Sequence, residues 1–236
     1  NVKALNVGIL PLVANETNKD EVLAELSEYV TDVDAEISRL SIKAVAQIAT
    51  VYPPAGDDVI TRLLEFLELH IEYVRSETVK AMKVLLRRFP ERAKSVIPSL
   101  DRCLRRVEDA EGKASVIWML GEYGEIIADS PYLLESLIDG LADEQNDLVK
   151  AELLTAAMKL FFKRPGEMQK MLGRLFVSLL SEEAEISPSL HDRALLYYRL
   201  LQSNPEDSKE IIVGARETVS AFTEETDEAI KKAIFA

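Results

Sequence analysis

Cysteine is nearly missing from this sequence. Cys103 stands alone, which excludes an internal disulfide and suits a reducing compartment. Histidine is almost as scarce: His70 and His191 lie far apart, and neither has a partner at a metal-ligand spacing. There is no glycine-rich phosphate loop and no nucleophile elbow. Basic residues fall short of acidic ones, 28 against 41, for a net charge of −13. That balance disfavours bulk attraction to nucleic acid or anionic lipid. No signal peptide and no membrane-spanning apolar run is present. Glycine and proline number only 9 each, and 47% of the 236 residues are apolar. That is enough to bury a sizeable core, as one large domain or as an array.

The organising stretch is Asp109 to Ala128, DAEGKASVIWMLGEYGEIIA. Asp109 can accept a first-turn N–H, and Glu111 suits the positive end of a helix dipole. From Ala114 onward Val116, Ile117, Trp118, Met119, Leu120, Tyr123, Ile126 and Ile127 make the segment apolar nearly all round. A surface helix shows one apolar stripe, so this one must be covered on several sides. It reads as the middle helix of a stack.

The neighbours recur at a regular interval. Residues 1–14 read as the end of a helix from a preceding unit, with Val2, Leu5, Ile9, Leu12 and Val13 on one face. The pattern is already under way at Asn1, which predicts a piece of a longer chain. Asn18 to Glu21 has the look of a capping box before the narrow stripe Val22, Leu23, Leu26, Tyr29 and Val30. A turn through Val33 leads to a broader apolar helix ending at Tyr52-Pro53. The same pair repeats to Phe89-Pro90, through the Trp118 helix, to Arg164-Pro165 and to Asn204-Pro205. Those prolines are spaced by 37, 75 and 40 residues, the middle interval being two units. An apolar residue precedes each by nine: Ala44, Ala81, Ala156 and Leu196.

A period of helix pairs near this length predicts an all-α chain, an alpha-alpha superhelix of the HEAT/armadillo solenoid type, with no strands. The division is 1–14 as the end of a repeat, 15–205 as five hairpins, and 206–236 as a tail. Within the tail, Glu206–Val213 reads as a short helix, Thr218–Thr226 as a linker and Asp227–Phe235 as the start of another helix. Cut ends expose apolar faces that further repeats cap, so the piece alone should self-associate.

Candidate chemistry is sparse. His70 reads as a helix-end donor, His191 as a first-turn residue beside Asp192 and Arg193, and Cys103 as core. The sequon at Asn15-Glu16-Thr17 reads as idle without secretion. Trp118 serves either core packing or a ligand platform. No convergent polar set is visible, so neither catalysis nor a cofactor or metal is expected. One segment departs from the acidic background. Lys80 to Arg106 holds nine basic residues against two acidic ones, among them Arg87, Arg88, Arg92, Arg102, Arg105 and Arg106. They are either solvated helix faces or a surface for an anionic partner, a phosphoinositide headgroup included.

Four segments carry a family likeness: LAELSEYVTDVDAEI (residues 23–37), GKASVIWMLGEYGEII (112–127), LLTAAMKLFFKRP (153–165) and HDRALLYYRLL (191–201). In order and spacing they resemble the trunk of the beta-adaptins, large subunits of heterotetrameric adaptor complexes. EGKASVIWMLGEYGE, KMLGRLF, DRALLYYRLL and VSAF fit the branch of the fourth complex better than that of the first two. The resemblance implies a non-catalytic scaffold of a vesicle coat, cytoplasmic and peripheral on trans-Golgi network or endosomal membranes. It implies the C-terminal half of the trunk, embracing the N-terminal domain of the medium (mu) subunit, in a complex with sigma and the second large subunit. An Arf-type GTPase would act mainly through the missing N-terminal half. By the same likeness Val33 and Tyr73, in successive inter-helix turns, are the candidates to face the tyrosine-signal pocket of mu; Tyr73 packing on its own turn is the competing reading.

Other readings keep the solenoid and change the system: a nuclear transport receptor or a phosphatase scaffold. A receptor for basic peptides should show a repeated Trp and Asn ladder. Here there is one Trp, followed shortly by Gly121 and Glu122.

Overall fold

The computed structural model describes residues 2–69, 71–94, 96–97, 107–181 and 185–214. His70, Cys103, Arg102, Arg105, Arg106 and the tail beyond Gly214 lie outside the described residues. Among those described the secondary structure is helical, with no strand. The helices are α1 (Val2–Ile9), α2 (Lys19–Tyr29), α3 (Ala35–Val51), α4 (Gly56–Leu67), α5 (Glu72–Arg88), α6 (Ala110–Tyr123), α7 (Ser130–Asp139), α8 (Asp147–Lys163), α9 (Pro165–Leu180), α10 (Pro188–Ser203) and α11 (Pro205–Val213). Between α5 and α6, Ala93, Val96 and Ile97 are helical and buried, where a further first helix begins.

Local chemistry sets the helix ends. Asp34, Asp109 and Asn146 accept first-turn N–H groups of α3, α6 and α8 at 3.0, 2.9 and 2.9 Å. Prolines close one helix and open the next. Pro165 and Pro205 are the first residues of α9 and α11, and Pro53 and Pro90 open short 3-10 turns. There the missing N–H costs nothing.

The capping box at Asn18–Glu21 does not form. Asn18 makes no cap to its own helix. Its Oδ1 accepts the Asn15 N–H at 2.7 Å and its Nδ2 donates to the Val13 carbonyl at 3.0 Å. Asn15 supplies the turn instead, its Oδ1 accepting the Thr17 N–H at 2.9 Å. A side chain that reaches backward along the turn is unavailable to the helix ahead of it.

Packing follows two layers. α3, α5, α6 and α8 stack in succession, and α2, α4, α7 and α9 lie against them as the first helices of their hairpins. The second-helix layer holds the core, with Ile42, Ile48, Met82, Leu86, Ile117, Met119 and Leu120 fully buried. α6 is buried continuously from Ala114 to Gly121, as its all-round apolar pattern requires. Of the four apolar positions nine before a proline, Ala44, Ala81 and Ala156 are buried and Leu196 is exposed. Small residues sit where helices are covered on both sides; Leu196 lies on α10, beside the groove described below.

The α1 face made by Val2, Leu5, Ile9, Leu12 and Val13 is exposed, from 50% to 74%. A contiguous apolar stripe of this kind associates in water. The chain alone is expected to oligomerise through it, and Leu5→Glu with Ile9→Glu to restore a monomer. Light scattering at high protein concentration checks this; an unaltered mass for the double variant would exclude α1 as the contact.

Candidate protein-docking groove

The face of the second helices is not apolar. Ion pairs cross it from helix to helix. Lys43 of α3 meets the buried Glu77 of α5 at 3.7 Å; Glu77 also holds Lys80 at 2.7 Å, and Lys80 reaches Glu111 of α6 at 3.2 Å. Farther along, Lys159 of α8 pairs with Glu122 of α6 at 2.6 Å while its side chain is only 3% exposed.

At the centre lies Trp118 on α6. Lys83 of α5 and Lys159 of α8 sit over its ring, 5.7 and 5.8 Å from the centroid. Lys83 also approaches Glu152 of α8 at 4.0 Å. Side chains of α5 and α8, the helices that flank α6, therefore approach each other above it and leave a recess over Trp118. The recess is a groove of about 570 Å³ bounded by α5, α6, α8 and α10, with Arg87, Trp118, Lys159, Arg193, Leu196 and Tyr197 among its walls. Of the two readings of Trp118, burial at 7% exposure bears out core packing, and the residue is also among those that line the groove.

Burial lowers the Lys83 ammonium from its ordinary value, against the pull of Glu152. Burial also pushes the Tyr123 hydroxyl up to about 12, with nearby Glu122 and Glu91 adding to it. The Tyr123 hydroxyl donates to the Leu86 carbonyl at 3.0 Å, and its ring meets Trp118 edge-on at 6.1 Å, stapling α6 to the end of α5. The unfolded phenol ionises near its ordinary value of about 10, before the folded one does. The native state thus holds the proton longer, and stability falls as pH rises from there to about 12. Tyr123→Phe is expected to flatten that part of the stability profile, read as unfolding midpoint against alkaline pH. An unchanged slope would contradict it.

The basic cluster read from the sequence does not form one patch among its described members. Lys80 is tied into the ion-pair ladder. Arg88 lies near the Phe89 ring at 5.7 Å. Arg92 stacks on Phe89 at 5.0 Å, pairs with Asp57 at 3.5 Å and fills the space a side chain at Gly56 would occupy. It is a packing residue of the Pro53–Gly56 turn. Among the cluster's described members, Lys83 and Arg87 enter the groove, where Lys159 and Arg193 join them from distant sequence. Lys159 was not singled out from the sequence, and Arg193 was read there only as a neighbour of His191 at a helix start, because their convergence depends on helices distant in the chain.

Val33 is fully exposed in the α2–α3 turn. Tyr73 is not in a turn: it is the second residue of α5, half-buried and packed on the core. The two are thus not in equivalent positions. α5 begins at Glu72, with Ile71 as an N-cap that makes no side-chain hydrogen bond, so Tyr73 already lies in its first turn. His191 lies in the first turn of α10, its Nδ1 3.9 Å from Asp192. Among the described residues no group of three or more His, Cys, Asp or Glu could hold a metal ion, and no helix is long and apolar enough to cross a membrane.

Stacked helical hairpins with a charge-lined groove on the second-helix face make this an α-solenoid. The family described as adaptin N terminal region matches residues 1–205, and the chain belongs to the adaptin family. Its relatives are beta subunits. It is 39% identical over 237 residues to beta-adaptin-like protein A of Arabidopsis thaliana, covering 99% of this chain and 28% of that protein. To AP-4 complex subunit beta-1 of Mus musculus it is 37% identical over 211 residues, covering 89% and 28%. To AP-1 complex subunit beta-1 of Homo sapiens it is 34% identical over 226 residues, covering 96% and 23%. The chain thus spans about a quarter of the length of these relatives. In fold it is similar to a homology model of the full-length AP-3 complex in an intermediate open conformation. The TM-score is 0.66 at 19% identity, over 86% of this chain and 37% of that one.

Proposed function

We propose that this chain is the part of a beta-adaptin trunk that embraces the medium subunit, within a heterotetrameric vesicle-coat adaptor that sorts cargo. The complex would include sigma and a second large subunit, and would work peripherally on trans-Golgi network or endosomal membranes. Arf-type GTPases would act through trunk repeats outside this chain. The carrying observation is the charge-lined groove over Trp118, bordered by side chains of α5, α8 and α10. Such a groove offers curvature and charge to a folded domain. The adaptin family match favours this over a nuclear transport receptor or a phosphatase scaffold.

On this reading the exposed Val33 would be the rim residue that meets the medium subunit, and Tyr73 would act mainly by supporting the α5 start. The test is co-expression with the N-terminal domains of medium subunits from several adaptor complexes. A stable one-to-one pair on gel filtration is expected with one of them. Absence of any pair under several buffers would overturn the reading.

A further inference from the structure

The chain carries −13 overall, yet its groove is locally cationic. Lys83, Arg87, Lys159 and Arg193 face it against the carboxylates Glu152 and Asp192. Lys83 and Lys159 are already engaged, by Glu152 and Glu122. Arg87 and Arg193 are exposed and have no ion-pair partner among the described residues. They stand on α5 and α10, on opposite walls, with exposed Leu196 and half-buried Tyr197 beside them.

We propose that this groove reads an acidic segment of the medium subunit's N-terminal domain, taking its carboxylates on Arg87 and Arg193 and an apolar neighbour on Leu196. The proposal rests on the medium subunit being the partner. The chemistry selects a protein carboxylate over a lipid headgroup. Guanidinium groups hold carboxylates and phosphates alike with two parallel hydrogen bonds, so the surroundings of Arg87 and Arg193 make the choice. Glu152 and Asp192 at the same mouth would repel the charge concentrated on one multiply charged phosphate more than single carboxylates spread over the two walls. Leu196 offers apolar contact that an inositol ring does not use. Charge of this kind also steers the encounter and excludes wrong partners.

The experiment measures the affinity of the chain for the medium subunit's N-terminal domain by calorimetry at low and high salt. Arg87→Glu with Arg193→Glu is expected to weaken binding by about tenfold or more and to flatten its salt dependence. Arg87→Lys with Arg193→Lys should keep the salt dependence but lose part of the affinity, because an ammonium keeps the charge and cannot form the paired bonds. Both pairs are exposed, so the circular dichroism and unfolding midpoint of the free chain should match the parent. A shifted midpoint in the reversal variant would mean that the chain's own residues occupy the groove, and would overturn the proposal. Equal affinity and equal salt dependence for parent and reversal variant would overturn it while leaving the scaffold reading intact. Failure of the parent to bind would overturn both. Binding of the parent, but not of the reversal variant, to phosphatidylcholine vesicles carrying a phosphoinositide would assign the groove to a headgroup and overturn the acidic-segment proposal.

Discussion

Gly121→Ala is expected to destabilise the chain by about 2 kcal/mol, although alanine is the better helix former by about 1 kcal/mol. The reason is a backbone contact. A Cβ on Gly121 would lie 2.6 Å from the Cα and 2.8 Å from the Cβ of Ala156. Neither atom belongs to a flexible side chain that can swing away. α6 and α8 would have to separate, and with them the best-buried interface of the stack. For a chain of this size the loss corresponds to a fall of roughly 4–8 °C in the unfolding midpoint. Gly173→Ala in α9 is the matched control, since nothing lies within 4 Å of its added methyl. It should gain up to about 1 kcal/mol. Calorimetric midpoints of the two variants should therefore move in opposite directions; movement in the same direction would refute the close-approach account.

Glu122→Ala is the second large effect. Lys159 is almost wholly buried, with Glu122 2.6 Å away and Trp118 beneath. Removing the carboxylate strands a buried ammonium, at a loss of about 3 kcal/mol. Replacing both partners, Glu122→Gln with Lys159→Met, removes the charge together with its counter-charge and should lie within about 1 kcal/mol of the parent. With the single variants Glu122→Gln and Lys159→Met, the double-mutant cycle by denaturant titration isolates the coupling. If the double variant lost as much as Glu122→Ala alone, the pair would matter for its shape and not for its charge.

The groove was the least legible part. The sequence shows a run of positive charge from Lys80 to Arg106, and linear proximity makes it look like one surface. On a helix, successive residues point about 100° apart, so a run is dealt out to different faces. Arg88 and Arg92 turn to Phe89, Lys80 to Glu77 and Glu111, and Lys83 and Arg87 to the groove. Tyr73 shows a related limit. A boundary shift of two residues moves a side chain from a turn into a helix, and the first turn of α5 has no capping side chain to mark its start.

What the amino-acid sequence determined by itself was everything local. Apolar residues three and four apart define the helices, Asx residues and prolines set most of their ends, the regular interval of the prolines defines the hairpins, and four short segments carry the adaptin likeness. These signals act within a few residues of one another, so they survive in a linear reading. What only the tertiary structure decided was which side chains from different repeats share one space. Lys83, Trp118, Lys159 and Arg193 meet because α6 and α8 approach as closely as Gly121 and Ala156 allow, leaving α5 and α10 as walls. That distance is a property of packed pairs of helices, and no single helix encodes it.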